Sequence, residues 1–147
     1  MAALAADTAR VFTAEQTHTN AAYPVKTGVK IYEGAAVAIE VATGYAYIPV
    51  GVTAQEVFVG FAVRQADNTS GASGDIDVDV RINGEVKLTA LDGTPALTKI
   101  GDVVYTINDN DFSLTDTTND MPVGRLSKFT SATDCLVRFH AATFGAA

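Results

Sequence analysis

The chain has 147 residues, a formal net charge of −7 and only 10 Lys and Arg. That is enough chain for one domain with its own core, and too few clustered cations to grip nucleic acid or an anionic membrane by phosphate neutralisation. A single cysteine, Cys135, excludes an internal disulfide framework.

Residues 1–23 read as an N-terminal arm, rich in Ala and Thr and without strand alternation, with Val11 and Phe12 as its anchors. An arm of this kind is expected to order only on docking. Its start, Met1-Ala2-Ala3-Leu4-Ala5-Ala6-Asp7, lacks the basic opening of a signal peptide. No run in the chain approaches the roughly 18 apolar residues of a membrane span. The expectation is a protein made in the cytoplasm.

Residues 24–147 read as a single β domain. Short strands are expected at 29–32, 35–42, 45–49 and 57–63, separated by Gly34, Gly44 and Gly51, with a flexible loop over 66–74. Ile76, Val78, Val80 and Ile82 then alternate with Asp75, Asp77, Asp79 and Arg81, the pattern of a half-buried strand. Asn83-Gly84 follows and signals a hairpin. A two-residue loop would mix the faces. A three-residue loop, Asn83 to Glu85, pairs Ile82 with Val86 and Val80 with Leu88, with Gly84 at positive φ. Beyond it a helical turn is expected over 94–99, and strands at 103–107, 112–114, 121–126 and 135–140. The fold class is all-β: a small sandwich or barrel of short antiparallel strands.

Segments before and after the central strand resemble each other. Glu33-Gly34-Ala35-Ala36-Val37-Ala38 matches Ile100-Gly101-Asp102-Val103-Val104-Tyr105, Val59-Gly60-Phe61-Ala62 matches Val123-Gly124-Arg125-Leu126, and Asp79-Val80-Arg81-Ile82 matches Leu136-Val137-Arg138-Phe139. The offsets, 67, 64 and 57 residues, shrink steadily, as in an internal duplication with shortened loops.

Nothing in the sequence supplies a catalytic centre. Asp75, Asp77 and Asp79 lack the Gly and bidentate Glu that a calcium loop requires, and fit one solvated strand face. His18 and His140 have no ligand partner at zinc spacing. Cys135 sits in an apolar strand as a small hydrophobe, five residues from His140 and on the opposite face. There is no nucleophile elbow, phosphate loop or dinucleotide fingerprint. The reading is therefore no enzyme, no cofactor and no metal. What remains is contact surface. Tyr45 and Tyr47 lie on one strand face, as a contact patch or as core. Tyr23 and Phe144, the latter in an apolar tail, complete a partner-interface set with Val11 and Phe12.

Taken in order, the arm, Glu33-Gly34-Ala35-Ala36-Val37, Val59-Gly60-Phe61-Ala62, Asn83-Gly84-Glu85-Val86, Ile100-Gly101-Asp102-Val103-Val104-Tyr105, Pro122-Val123-Gly124-Arg125-Leu126 and Leu136-Val137-Arg138-Phe139 resemble the head decoration, or cement, proteins of tailed bacteriophages. The resemblance implies a structural virion protein on the outside of an icosahedral capsid. Its partners would be the major capsid protein and itself, as a homotrimer before a homodimer, clamping neighbouring capsid subunits through multivalency. The competing expectations are another virion subunit, such as a tail tube or fibre, a secreted or surface β binding module, and a small β-barrel enzyme.

Overall fold

A computed structural model describes residues 3–12, 20–51, 55–116 and 120–141. Thirteen strands are present among them: β1 Asn20–Pro24, β2 Lys30–Ile31, β3 Ala36–Glu40, β4 Ala46–Tyr47, β5 Glu56–Ala62, β6 Ala66–Asp67, β7 Asp77–Arg81, β8 Asn83–Leu88, β9 Leu91–Asp92, β10 Val103–Thr106, β11 Phe112–Ser113, β12 Met121–Ser131 and β13 Asp134–His140. A 3-10 turn is present at Leu97–Lys99. The strands form a five-stranded sheet in the order β1-β7-β5-β3-β4, a six-stranded sheet in the order β8-β13-β12-β10-β11-β9, and a small β2-β6 pair. The fold is an all-β sandwich.

The two halves of the chain build the two large sheets by the same pairings. Val37 lies opposite Gly60, with a register shift after Val37. Val104 lies opposite Gly124, with a register shift after Val104. Ala38 faces Tyr47 as Tyr105 faces Ser113. Ala21 faces Val80 as Val86 faces Val137. The loop bonds repeat as well: the Gly34 and Gly101 amides donate to Ala62 and Leu126, whose own amides donate back to Ala35 and Asp102. The repeat is thus a property of the backbone, carried by glycines that admit close strand approach. A Cβ on Gly60 would lie 2.2 Å from the Arg81 carbonyl oxygen, and one on Gly124 2.3 Å from that of Arg138.

The Asn83-Gly84 hairpin does not form. β7 and β8 belong to different sheets, and Ile82 is the single residue between them. Both edges of β7 are already occupied, by β1 and by β5, so β8 has no ladder to join there. It pairs with β13 instead, with Gly84 opposite Phe139. Gly84 does take positive φ, at 134°, but to seat a strand rather than to turn one. The alternation itself is as expected, since Val78, Val80, Val86 and Leu88 are all buried.

The arm also differs from its expectation. Asn20–Pro24 is a strand paired along β7, so the sheet begins before residue 24. Residues 3–12 dock on the chain's own sandwich. The Thr8 amide donates to Glu33, and the Val11 carbonyl accepts from the Lys87 amide. Phe12 bridges to Val86. Its ring stands edge-on to Phe61 and Phe139, at centroid distances of 6.5 and 6.3 Å. The apolar seam between the sheets supplies the docking surface the arm needs.

Two cores result. Between the sheets lie Phe58, Phe61, Leu88, Val104, Phe112, Met121, Val123, Leu126, Val137 and Phe139. Behind the first sheet, under β2 and β6, lie Val25, Ile31, Val37, Val59, Val78 and Val80. Cys135 is buried in the first of these, as a small hydrophobe should be.

Candidate interaction surfaces

The expected interface residues separate by depth. Val11 is exposed and Phe12 half-buried in the seam. Tyr23, on β1, packs half-buried against the core behind the first sheet. Tyr45 is half-buried beside Gly74. Tyr47 is a core residue, 7 % exposed, and not part of a contact patch. Its strand turns it toward the inter-sheet core because the other face of β4 carries Ala46 into the second core. Phe144 lies outside the described residues.

Tyr47 has a structural task. Its hydroxyl donates to the Glu56 carboxylate at 2.9 Å, and the same oxygen accepts the Val50 amide at 2.5 Å. Glu56 is itself buried. Burial, and then the carboxylate beside it, push the Tyr47 hydroxyl well above the ordinary phenol range. The pair holds the loop after β4 against the start of β5. Three aliphatic side chains are presented at this end of the sandwich: Val41 after β3 is 58 % exposed, Val50 58 % and Ile107 after β10 46 %. Val41 donates its amide to Gln55, and Gly51 lies against Ile107, whose Cβ would be 3.8 Å from a Cβ there.

Residues 3–12 form a strap across both halves. The Leu4 amide donates to Asp109 Oδ1 at 2.9 Å. Arg10 donates from Nε to the Gly34 carbonyl at 2.7 Å and from Nη2 to Asn110 Oδ1 at 2.6 Å, with its guanidinium 5.6 Å from the Phe112 ring centroid. Asp7 accepts from the Glu33 amide and the Gln65 side chain. The strap therefore bonds to Glu33 and Gly34 of the first half and to Asp109 and Asn110 of the second. Burial pushes the Asp109 carboxyl above the usual range, with the Leu4 amide and Arg10 acting against it. A Cβ on Gly34 would collide with the Thr8 carbonyl, so this glycine is the groove in which the strap lies.

An open cleft of about 310 Å³ is lined by Tyr105, Thr106, Phe112 and the carboxylates of Asp92, Asp111 and Asp120. Among the described residues no three His, Cys, Asp or Glu side chains converge as metal ligands. The Asp75, Asp77 and Asp79 row is divided by role: Asp75 accepts the Ala72 amide in the preceding turn, and Asp79 accepts Arg64 at 3.0 Å. No family model matches the sequence, and no curated protein matches it.

Proposed function

We propose that this chain is a structural virion protein that binds the outer surface of an icosahedral phage capsid as an oligomer and braces neighbouring major capsid subunits. The observation that carries the reading is the set of exposed aliphatic side chains Val41, Val50 and Ile107, with the Val50 amide fixed by the buried Tyr47–Glu56 pair. Apolar side chains presented by an acidic, strand-built body lose little conformational entropy on docking, which is what a contact repeated over a particle requires. The order of motifs resembling the decoration proteins supports the same reading. The test is cosedimentation of the purified protein with undecorated capsids of its own virus. Binding is expected for the wild type and loss of binding for Val50→Asp/Ile107→Asp with an unchanged melting transition. A wild-type protein that never cosediments would remove the capsid reading.

A further inference from the structure

The side of the first sheet that carries Ala36, Ala38, Phe58 and Phe61 is sealed against the second sheet. The repeat places Val103, Tyr105, Pro122 and Arg125 at the equivalent positions of the second half. There Val103, Tyr105 and Pro122 are half-buried and Arg125 is exposed. Charge is spread unevenly over this face. Cross-strand pairing sets Arg125 beside Arg138, and Leu136 between Lys128 and Lys87, so cations collect over β12, β13 and β8. Carboxylates collect toward β11 and β9, where Asp92, Asp111 and Asp120 line the cleft with Tyr105. Asp116 belongs to the same end: burial, and then the Asp116 charge, push the Tyr105 hydroxyl above the ordinary phenol range, with Arg125 acting against them. Within the cation end, Glu85 lies 3.4 Å from Arg138 and Asp134 3.8 Å from Lys87. The Arg138 side chain nevertheless stays 72 % exposed. Lys128 is exposed, as are Asp92 and Asp116 at the other end, and none of the three is in an ion pair among the described residues. Three strand steps separate β12 from β9, so the two ends stand roughly 14 Å apart across the sheet. Val103 and Tyr105 of β10 lie between them.

We propose that this face of the second sheet docks the same face of a second copy about a two-fold axis in the plane of the contact, the cation end of each copy lying over the carboxylate end of the other. Two observations choose the occupant. The face is bipolar, so a two-fold axis set across the line joining its ends brings opposite charges together twice, once at each end. The other sheet sides are already used: the inner side of the second sheet is packed on the first, and the inner side of the first lies under β2 and β6. A second copy therefore has only its own open face to offer as a sheet surface. The half-buried Val103, Tyr105 and Pro122 then meet their counterparts at the centre, with the charges around them, which is the ordinary anatomy of an interface. The contact closes at two copies, so the oligomer of the proposed function is a dimer; the inference deepens that reading and rests on it.

Sedimentation equilibrium of the full-length protein tests it. The wild type should form a dimer that grows no further with concentration and that weakens as salt is raised. Lys128→Glu/Arg138→Glu should weaken the dimer by about a hundredfold while melting cooperatively, and Asp92→Lys/Asp116→Lys should do the same. Mixing the two double variants should restore a dimer, because one copy then carries carboxylates at both ends and the other cations at both. A wild-type monomer, growth beyond two copies, a dimer indifferent to salt, double variants that dimerise normally, or a mixture that stays monomeric would each overturn the proposal. So would a Lys128→Glu/Arg138→Glu protein that keeps its dimer but no longer cosediments with capsids, since the face would then belong to the capsid. A dimer lost and restored as stated, in a protein that never binds capsids, would uphold this contact and remove the capsid reading separately.

Discussion

The two halves of the molecule share a backbone and differ in what they do with one side of it. Phe58 and Phe61 in the first sheet are fully buried, and with Phe12, Phe112 and Phe139 they form an edge-to-face and tilted aromatic cluster, Phe61 to Phe139 being 4.9 Å between centroids. Their counterparts in the second sheet are Pro122, which is half-buried, and Arg125, which is exposed. The same ladder, the same glycine contact and the same register shift therefore support a core face in one half and a surface face in the other. Backbone repetition follows from where glycines permit close approach. Burial follows from which side chains a neighbouring sheet has to cover.

The most direct way to break this comparison is to substitute equivalent positions. Phe61→Ala should cost about 3–5 kcal/mol of unfolding free energy, as expected for a large cavity in a sealed core. Arg125→Ala should stay within about 0.5 kcal/mol as a surface change. Denaturant unfolding of both variants, under conditions where the protein is monomeric, checks the pair. Similar costs at the two positions would mean that the outer face of the second sheet is covered after all.

The glycines sharpen the shared half of the comparison. Gly60→Ala and Gly124→Ala should each destabilise by about 1–3 kcal/mol, because each new Cβ runs into a backbone carbonyl across the strand. Gly60→Ala should be the worse of the two, since Gly60 also holds φ at 132°. Thermal melts that leave either variant as stable as the wild type would show that the two close approaches are not equivalent.

The strap tests what joins the halves. Phe12→Ala should lower stability by about 1–3 kcal/mol, because the ring is half-buried against both sheets. Deletion of residues 3–12 should lower it further and not simply free an appendage. An unchanged melting transition on deletion would return the segment to the status of a loose arm.

The smallest expected effect is on pH dependence. Asp109 is buried and its carboxyl is raised above the ordinary value. The folded state then holds a proton that the unfolded chain has released. Stability attributable to this group is fully present below the unfolded carboxylate value and is lost as pH rises through that window to the raised value. Asp109→Asn keeps an oxygen for the Leu4 amide and removes the titration, so the decline across that window should flatten. Melting temperatures measured through the acidic range decide it, and an identical slope in the variant would place Asp109 outside the pH response.

How much of the site was legible depended on the range of the interaction. The alternation from Ile76 to Leu88 identified which residues face a core, because period-two burial is local to a strand. It did not identify the partner strands, and the Asn83-Gly84 signal pointed to the wrong one. A hairpin turn competes with long-range ladders, and here β1 and β5 had taken both edges of β7. Tyr45 and Tyr47 could not be assigned from their spacing, since exposure at β4 depended on Glu56 accepting the Tyr47 hydroxyl beneath it. The exposed aliphatic set was equally hidden, being drawn from three loops.

By itself the amino-acid sequence determined the all-β class, the strand faces, the buried thiol of Cys135 and the repeated glycine-plus-apolar segments, all of which rest on interactions between near neighbours or on the steric freedom of single residues. Tertiary structure alone decided that β7 and β8 part into different sheets, that residues 3–12 strap the two halves together, and that one repeat buries the side the other leaves open. Those outcomes depend on which faces meet across the chain. That is settled by the total apolar area the sandwich can seal and by the ladder edges left unpaired, and neither quantity is written in any local stretch of residues.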